Sequence, residues 1–369
     1  MAAAAAGAVS AVAWYGLPAL HHSRQSPAAR DHAFPAQLDH GRIVALDSTG
    51  YLVLSDPSGA HRSRLSALGS TGQRAAAAAD GSYLWLADGQ VVSVRRNGTA
   101  SLYPAKLPSI SNYVAAAPSA FSDHNRALVT LDGFSGYSSS QNPVSVNFMS
   151  TGLSRRLGIA DWAAGDPQAP GAFVTVAAPP AASSVNQQVP PDAIAELRDA
   201  GRPVQPLATA AVINRDLRQR PATPIAFYLY PNPQGDKVAV VVHPTSGSPQ
   251  DSGLLLLRRN GRLLGVGATT GMTSNPAWSP SGRQLGFVTA DGSQQDLRIW
   301  AIGGRTAIRR LPPVTGSYQW CIWSPDNASI TCSAAQASTW VVASVTGSVL
   351  APSHGPGFPL IWLPSARAR

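Results

Sequence analysis

The sequence predicts an all-β chain in which seven four-stranded antiparallel sheets form a closed ring. One observation is the segment Asn275–Leu311, where four short β-prone runs alternate with turn sequences. A second is a hairpin, two strands joined by a turn that ends in glycine, which recurs seven times along the chain. Because a single sheet of this size cannot bury both faces, such units are stable only when neighbouring units stack on them. These observations predict a seven-bladed β-propeller.

In the segment Asn275–Leu311, each predicted strand is bounded by residues that favour turns. The first strand ends at Trp278, and the other three are Leu285–Thr289, Leu297–Ala301 and Thr306–Leu311. The turns between them contain Pro280-Ser281-Gly282, Asp291-Gly292 and Gly303-Gly304, where proline fixes φ and glycine permits positive φ. Four strands in about 40 residues are typical of one propeller blade.

The third hairpin of each unit carries a glycine in its turn. These glycines are Gly59, Gly98, Gly152, Gly201, Gly261, Gly304 and Gly347. Asn97-Gly98 and Asn260-Gly261 predict type I′ turns, in which both central residues adopt positive φ. The stretch Pro191–Ala200 alone resembles a capped helix, but its register with the other six copies favours a hairpin.

The first turns of two units resemble a known repeat. Asn275–Gly282 (NPAWSPSG) and Trp323–Asn327 (WSPDN) resemble the W-S-P-D-G motif of TolB-type, WD40-like (PD40) β-propeller repeats. Ser281 stands where that family usually has Asp, and Asn327 where it usually has Gly. The resemblance implies a TolB-like propeller without the separate N-terminal domain of TolB, in a family that serves mainly in protein–protein binding.

The predicted ring is closed by the two ends of the chain. Blade 1 begins with Arg42–Leu46 and lacks an innermost strand, whereas Phe358–Ser365 matches an innermost strand and then stops. We therefore expect the C-terminal strand to complete the N-terminal blade, which removes the open edges of the ring. The other blades are predicted at Arg74–Tyr103, Tyr113–Leu157, Asp161–Leu217, Ile225–Gly267, Ser274–Leu311 and Tyr318–Leu350. Equivalent inner-strand positions, suited to packing between blades, are predicted for Trp162, Trp278, Trp323 and Trp362.

The N-terminus predicts an attachment to a membrane. Residues 1–20 are apolar or uncharged, long enough to span a bilayer as a helix, and lack the basic start and cleavage site of a secretion signal. We expect a signal-anchor at residues 1–20, a flexible linker at 21–37 and the propeller at 38–369, in the periplasm or at the cell surface. The alternative is an Ala-rich leader on a cytoplasmic protein. Heavy use of Ala and Arg is typical of a high-GC bacterial genome.

The two cysteines bear on the compartment. Pairing Trp323 with Ile330 in a hairpin places Cys321 directly opposite Cys332, with β-carbons about 4.5–5.5 Å apart. That separation is close to disulfide geometry, and a disulfide would agree with an oxidising compartment. The alternative is a pair of buried free thiols.

The loops between the second and third strands predict the binding face. They are short in blades 1 and 2 and long in blades 3, 4 and 5, and in a propeller they all emerge on one face. Extended loops on a rigid scaffold favour recognition, here of a protein partner. The candidate contacts are Phe134, Tyr137, Asn186, Gln187, Gln188 and His243. The alternative is variation in loop length without a partner.

The chain is strongly basic, with a net charge of +9 and a pI near 10.1. A basic rim opposite the long loops is predicted from Arg62, Arg64, Arg95, Arg96, Arg155, Arg156, Arg258, Arg259, Arg309 and Arg310. Such a rim can rest on anionic lipid headgroups or attract an acidic partner. Nucleic acid is not expected, because no basic motif is interleaved with aromatic residues. The alternative is a solvated rim in which arginine replaces lysine.

No catalytic signature is present. The sequence lacks a nucleophile elbow, a zincin motif, a phosphate-binding loop and the Cys/His spacing of a zinc site. We therefore expect a non-enzymatic scaffold without cofactor or metal. We also expect the protein to be a monomer. The alternative is a propeller hydrolase, lactonase or lyase, or a carbohydrate-binding propeller, with a site in the central channel. Such a site combines single residues from several blades and leaves no linear motif.

Overall fold

The described part of the chain consists of 28 β-strands, β1 to β28, in seven four-stranded antiparallel sheets. The structure is a computed structural model, and it describes residues 34–69, 75–78, 80–86, 90–103, 120–131, 142–160, 162–176, 194–199, 202–209, 212, 215, 225–244, 252–334 and 339–364. All of these lie in one compact unit, Phe34–Arg369. The predicted seven-bladed β-propeller is confirmed.

The strands follow the chain blade by blade. Blades 1 to 3 contain β1 (Arg42–Asp47), β2 (Tyr51–Ser55), β3 (Ser63–Gly69), β4 (Ala75–Ala77), β5 (Tyr83–Leu86), β6 (Val91–Val94), β7 (Ala100–Leu102), β8 (Phe121–Ser122), β9 (Ala127–Leu131), β10 (Asn142–Phe148) and β11 (Ser154–Ala160). Blades 4 and 5 contain β12 (Trp162–Gly165), β13 (Gly171–Val176), β14 (Ile194–Asp199), β15 (Gln205–Thr209), β16 (Ile225–Pro231), β17 (Lys237–Pro244), β18 (Gly253–Arg258) and β19 (Leu263–Ala268). Blades 6 and 7 contain β20 (Ala277–Trp278), β21 (Gln284–Asp291), β22 (Gln294–Ala301), β23 (Thr306–Arg310), β24 (Tyr318–Trp323), β25 (Ser329–Ala334), β26 (Trp340–Ser344) and β27 (Leu350–Ser353), and the last strand is β28 (Gly357–Leu363).

The last strand closes the ring as predicted. β28 pairs antiparallel with β1, with Ile43 opposite Trp362 and Asp47 opposite Gly357. The sheet order β28-β1-β2-β3 makes β28 the innermost strand of blade 1. The first and last segments of the ring are therefore joined by a ladder of backbone hydrogen bonds.

Apolar side chains fill the gaps between blades. One cluster, which includes Leu46, Leu54 and Leu84, joins blades 1 and 2. Another, which includes Trp340 and Trp362, joins blade 7 to blade 1. Similar clusters join blades 2 to 4, blades 4 and 5, blades 5 and 6, and blades 6 and 7. Each sheet thus buries both faces against its neighbours, as stacked units require.

Every blade has the same two ends. The turns between strands 1 and 2, which blade 1 lacks because its strands 1 and 2 are β28 and β1, and the turns between strands 3 and 4 lie on one side, which we name the turn face. They are hydrogen-bonded to each other: Arg259 N donates to Asp236 O in blade 5, and Ile302 N donates to Arg283 O in blade 6. The loops between strands 2 and 3, and the connections between blades, lie on the opposite side, which we name the loop face.

The third hairpins differ from the prediction in turn type. Gly98 and Gly261 have positive φ, but Asn97 and Asn260 are not among the described residues with positive φ, so the predicted type I′ turns are wrong. Gly98 N donates to Arg95 O, and Arg95 N donates to Thr99 O, which defines a three-residue turn with a terminal left-handed glycine. In blade 6 the positive φ belongs to Gly303 instead of Gly304. Gly201 lies outside the described residues.

Two blade boundaries also differ. The sheet of blade 3 begins at Phe121, later than the predicted Tyr113, and the sheet of blade 4 ends at Thr209, before the predicted Leu217. The stretch from Ile194 to Asp199 is a strand, as its register with the other hairpins predicted. No helix in the described residues is long and apolar enough to cross a membrane. Residues 1–20 lie outside those residues.

The closure generates a direct prediction. Removing residues 357–369 deletes β28 and with it the buried side chains of Ile361, Trp362 and Leu363. Burial of three large apolar side chains contributes about 5–9 kcal/mol, which is comparable to the whole stability of a typical domain. We expect this truncation to abolish the cooperative thermal transition measured by circular dichroism.

The matched control removes residues 365–369 alone and leaves β28 complete. This shorter truncation is expected to unfold at the same temperature as the intact protein. A normal transition after deletion of β28 would contradict the proposed role of the closure.

Candidate functional site

The loop face carries its longest loops on three adjacent blades. The loops between strands 2 and 3 span residues 132–141 in blade 3, 177–193 in blade 4 and 245–252 in blade 5. In blades 1, 2, 6 and 7 they span only residues 48–50, 87–90, 292–293 and 335–339. The loops of blades 3, 4 and 5 are therefore ten, seventeen and eight residues long, and those of the other four blades are two to five residues long.

The candidate contact residues of these loops are mostly beyond the described part of the chain. Phe134, Tyr137, Asn186, Gln187 and Gln188 lie outside the described residues. The sixth candidate was predicted at the start of a loop, but His243 belongs to β17, where it is paired with Ala226.

On the turn face, a polar side chain closes the first turn in three blades. Asn232 Oδ1 accepts from Lys237 N at 2.9 Å, Ser279 Oγ from Gln284 N at 3.1 Å, and Ser324 Oγ from Ser329 N at 2.8 Å. Three positions after each of these side chains the backbone is left-handed, with φ of 67° at Gly235, 60° at Gly282 and 62° at Asn327. Asparagine tolerates this region better than most residues, which explains how Asn327 replaces glycine.

Contacts between successive first turns continue around the channel mouth from blade 3 to blade 1. His124 N donates to Pro167 O (2.9 Å), and Gln168 Nε2 donates to Gln234 O (2.5 Å). The series then runs through Gln234 Nε2 to Pro280 O (3.3 Å), Ser281 N to Asn327 Oδ1 (3.0 Å), and His40 Nε2, which lies 3.4 Å from Asp326 Oδ2. These polar groups hold neighbouring blades together.

An ion pair between blades 4 and 5 was not predicted from the sequence. Arg259 donates to both carboxylate oxygens of the fully buried Asp166, at 2.7 and 2.6 Å. Asp199 lies 3.8 Å from the same guanidinium, which also stacks over Phe173 at 5.6 Å. Burial, and then the neighbouring Asp166 carboxylate, raise the pKa of Asp199. The pair joins blade 4 to blade 5 and is structural.

Other turn-face carboxylates are also engaged locally. Burial opposes ionisation of Asp56, but hydrogen bonds from Ser58 and His61 outweigh it and lower the pKa of that carboxyl. Burial likewise opposes ionisation of Asp326, and hydrogen bonds from Ser324 Oγ and Ala328 N outweigh it and lower its pKa. A carboxylate held ionised in this way is poorly suited to act as a general acid near neutral pH.

The predicted basic rim separates into two groups. Arg259 and Arg309 are partly buried and bind neighbouring blades, Arg259 through Asp166 and Arg309 through the carbonyl of Gly347. Those two residues are therefore interface contacts, because their donors are directed at the next blade. The remaining rim residues are exposed: Arg62, Arg64, Arg95, Arg96, Arg155, Arg156, Arg258 and Arg310. Of these, Arg62 also donates to the carbonyl of His354 at 2.6 Å, and Arg310, opposite Asp296 at the end of β23, lies nearest the loop face instead of opposite it.

Within the described residues, no group of three or more His, Cys, Asp or Glu side chains is arranged to hold a metal ion. An open cleft of about 490 Å³ between blades 5 and 6 on the turn face is lined by Asp236, Lys237, Arg258, Leu264, Ile302 and Gly303. Its lining mixes charges of both signs with aliphatic side chains.

Two of the four tryptophans make the same kind of hydrogen bond to a neighbouring blade. Trp278 Nε1 donates to Tyr230 O and Trp323 Nε1 to Ala277 O, both at 2.8 Å and both toward the preceding blade. Trp362 Nε1 donates instead to His40 O at 2.8 Å. Trp162 lies three positions earlier in its turn pattern, because Asp166 occupies the place of Ser279, and Trp162 Nε1 donates to Leu229 O of the following blade. Its predicted equivalence with Trp278 is therefore wrong.

The predicted register of the cysteine hairpin is present. Cys321 lies opposite Cys332 and Trp323 lies opposite Ile330. The two sulfur atoms form a disulfide between the first and second strands of blade 7.

The ion pair between blades 4 and 5 generates a stability prediction. Asp166→Asn leaves the Arg259 guanidinium partly buried without its carboxylate, and breaking such a pair costs about 3 kcal/mol. The matched control is Asp80→Asn, which removes the same charge from an exposed turn and is expected to change stability by less than about 0.5 kcal/mol. Urea unfolding of both variants measures the difference, and equal effects would contradict the structural role of Asp166.

Comparisons with known proteins support the fold alone. No protein-family model and no curated protein matches the sequence. Among solved structures, the chain is similar to a putative 6-phosphogluconolactonase from Bacteroides uniformis (11% identity, 88% of this chain and 98% of that chain, TM-score 0.51). It also matches TolB from Acinetobacter baumannii (14% identity, 76% of this chain, TM-score 0.44), of which it covers 65%, under two thirds. A third match is the Swd1 β-propeller domain from Myceliophteria thermophila (14% identity, 78% of this chain and 87% of that chain, TM-score 0.47). At these identities the shared property is the propeller architecture.

Proposed function

We propose that this chain is a non-enzymatic interaction scaffold of the bacterial cell envelope, which recognises a protein partner through the loop face of blades 3 to 5. The observation that carries the proposal is the placement of the three longest loops between strands 2 and 3 on three adjacent blades. Loops presented by a rigid scaffold are where recognition residues concentrate. Within these loops Phe134 and Tyr137 are the aromatic side chains best suited to anchor a partner.

The rigidity of the platform supports this proposal. The strands that deliver the loops are buried: Val129, Phe173 and Val240, one from each blade, are at most 1% exposed. Blades 4 and 5 are further joined by the Asp166–Arg259 ion pair. The loops thus extend from strand ends that are fixed relative to each other, which lowers the cost of ordering a binding surface.

The state of the carboxylates on the turn face supports a binding role over catalysis. A hydrolase or lyase requires a general acid or base with a pKa near the working pH. Asp56, Asp236 and Asp326 have lowered pKa values, because local hydrogen bonds outweigh the effect of burial. Burial raises the pKa of Asp39 and of Asp199, and Asp199 lies 3.8 Å from the Arg259 guanidinium. Asp166 is held by Arg259. These groups serve the structure.

We further propose that residues 1–20 anchor the propeller outside the cytoplasm. Their uncharged, Ala-rich composition and length motivate the anchor. The facing cysteines of blade 7 support the oxidising location, since disulfides persist mainly outside the cytoplasm.

Partner capture tests the scaffold proposal. The full-length protein, tagged and expressed in its source cells, is cross-linked, purified and compared with Phe134→Ala/Tyr137→Ala by quantitative mass spectrometry. We expect at least one envelope protein to be enriched with the native chain and reduced about tenfold or more with the double variant, because truncated anchor residues typically cost over 1 kcal/mol each.

The matched control is Ser293→Ala, which alters the short loop between strands 2 and 3 of blade 6 on the same face. This variant is expected to retain the partner. If the double variant captures the same proteins at the same level as the native chain, the blade 3 loop does not bind them and the proposal fails.

The envelope location predicts an oxidised pair of cysteines in the native protein. Protein isolated from cells with alkylating reagent present is expected to contain unmodified Cys321 and Cys332 joined in one cross-linked peptide, and to take up two alkyl groups only after reduction. Quantitative alkylation of both thiols before any reduction would contradict an oxidising location.

A further inference from the structure

Among the described residues, most exposed arginines lie on the turn face of the propeller. In six of the seven blades, an exposed arginine lies in a turn of the turn face: Arg62, Arg95, Arg96, Arg126, Arg202, Arg262, Arg283 and Arg305. The exposed Arg258 is the last residue of β18, directly before such a turn. Of the described residues in the loops between strands 2 and 3 and in the connections between blades, Arg215 alone is an arginine or lysine. Among the residues that the structure describes, positive charge is therefore more frequent in the turns of the turn face than on the loop face.

Arg202 is paired with Asp199 at 3.7 Å, but several other carboxylates on the turn face are engaged by groups outside this set of arginines. Asp166 is fully buried against Arg259, Asp56 contacts His61 at 2.7 Å, and Asp236 contacts Lys237 at 2.6 Å. In the described part of the chain, no ion pair involves Arg95, Arg96, Arg258, Arg262 or Arg283. These guanidinium groups are available to an anionic partner.

The chain also enters the propeller on this face. Leu38 is fully buried, and the carbonyl of His40 accepts a hydrogen bond from Trp362 Nε1 at 2.8 Å. Gln37 lies beside Ala328 and Gly347, which belong to the first and third turns of blade 7. Gln37, Leu38 and His40, which precede β1, therefore lie at the turn face, the same face that carries the arginine turns.

We propose that the turn face docks on an anionic phospholipid surface. Guanidinium groups bind phosphate oxygens with paired, charge-assisted hydrogen bonds, and each basic residue near an anionic membrane strengthens binding on the order of fivefold. Turns on successive blades offer several such groups to one surface. The orientation relative to the membrane rests on the anchoring proposed above, and it directs the loops of blades 3 to 5 away from the bilayer, toward a partner.

Vesicle binding tests this docking directly. The fragment 34–369 contains all 28 strands of the closed ring, so its binding is independent of residues 1–20. We expect it to co-sediment with vesicles of phosphatidylcholine containing 30 mol% phosphatidylglycerol, and not with vesicles of phosphatidylcholine alone. Binding should weaken as salt is raised, because the Debye length shortens.

Two double variants, each of which lacks two positive charges, test whether vesicle binding depends on the turn face or only on the net charge of the protein. Arg95→Gln/Arg258→Gln removes two turn-face groups and is expected to weaken vesicle binding by at least tenfold. Arg215→Gln/Arg310→Gln removes one exposed group from a connection between blades and one from the end of β23 nearest the loop face, beside Asp296, and is expected to bind like the native fragment. Circular dichroism confirms that each variant is folded.

The outcomes are distinguishable from those of the scaffold proposal. Absence of binding to anionic vesicles, or equal weakening by both double variants, overturns the docking proposal. Binding to poly-glutamate but not to anionic vesicles also overturns it, in favour of an acidic protein partner for this face. Phe134→Ala/Tyr137→Ala should leave vesicle binding unchanged, whereas Arg95→Gln/Arg258→Gln should leave capture of the protein partner unchanged.

Discussion

The pairing of β28 with β1 is the contact on which the other six blades depend. Each sheet buries both faces only because a neighbour lies on each side, and a ring has no terminal sheet once its ends are joined. Here the joint is a ladder from Arg42 opposite Leu363 to Asp47 opposite Gly357, supported by the cluster around Trp340 and Trp362. Residues more than 300 positions apart in the sequence thus determine whether the interior of every blade is covered.

The two faces of the closed ring differ in their contacts and in the length of their loops. On the turn face, side chains such as Gln168, Gln234 and Asn327 bridge successive turns, and Asp166 binds Arg259 across one blade boundary. These polar groups near the channel mouth already bind neighbouring blades. The loop face has longer connections on blades 3 to 5, whose length the ring does not require. A partner site on the loop face and a charged contact surface on the turn face are compatible within one rigid body.

Local sequence patterns predicted most of the fold. Turn glycines such as Gly59, Gly152 and Gly347 have the expected positive φ, and the closure by Phe358–Leu363 follows from one unmatched strand at each end. Such features are readable because each depends on a few consecutive residues. The type I′ turn predicted at Asn97-Gly98 was wrong, because the same two residues also suit a three-residue turn in which only the glycine needs positive φ.

Contacts between distant residues could not be predicted in the same way. In blade 4 the turn position of Ser279 is occupied by Asp166, whose partner Arg259 lies 93 positions away, so the apparent match of Trp162 to the repeat motif was misleading. Because Arg259 binds Asp166 and Arg309 donates to the carbonyl of Gly347, these two arginines are partly buried between blades and do not belong to the exposed basic rim. Which arginines are exposed depends on how neighbouring blades meet. That information lies in the tertiary structure, and a single sequence does not provide it.

In-cell photo-cross-linking from three single positions would test the central claim, that the two faces have different partners. A photoreactive phenylalanine analogue replaces Tyr137 on the long loop of blade 3, Arg96 on the turn face, or Ser293 on the short loop of blade 6. We expect a cross-link to a distinct protein from position 137, a cross-link to phospholipid from position 96 and neither from position 293. Equal protein cross-linking from all three positions, or none from position 137, would contradict it.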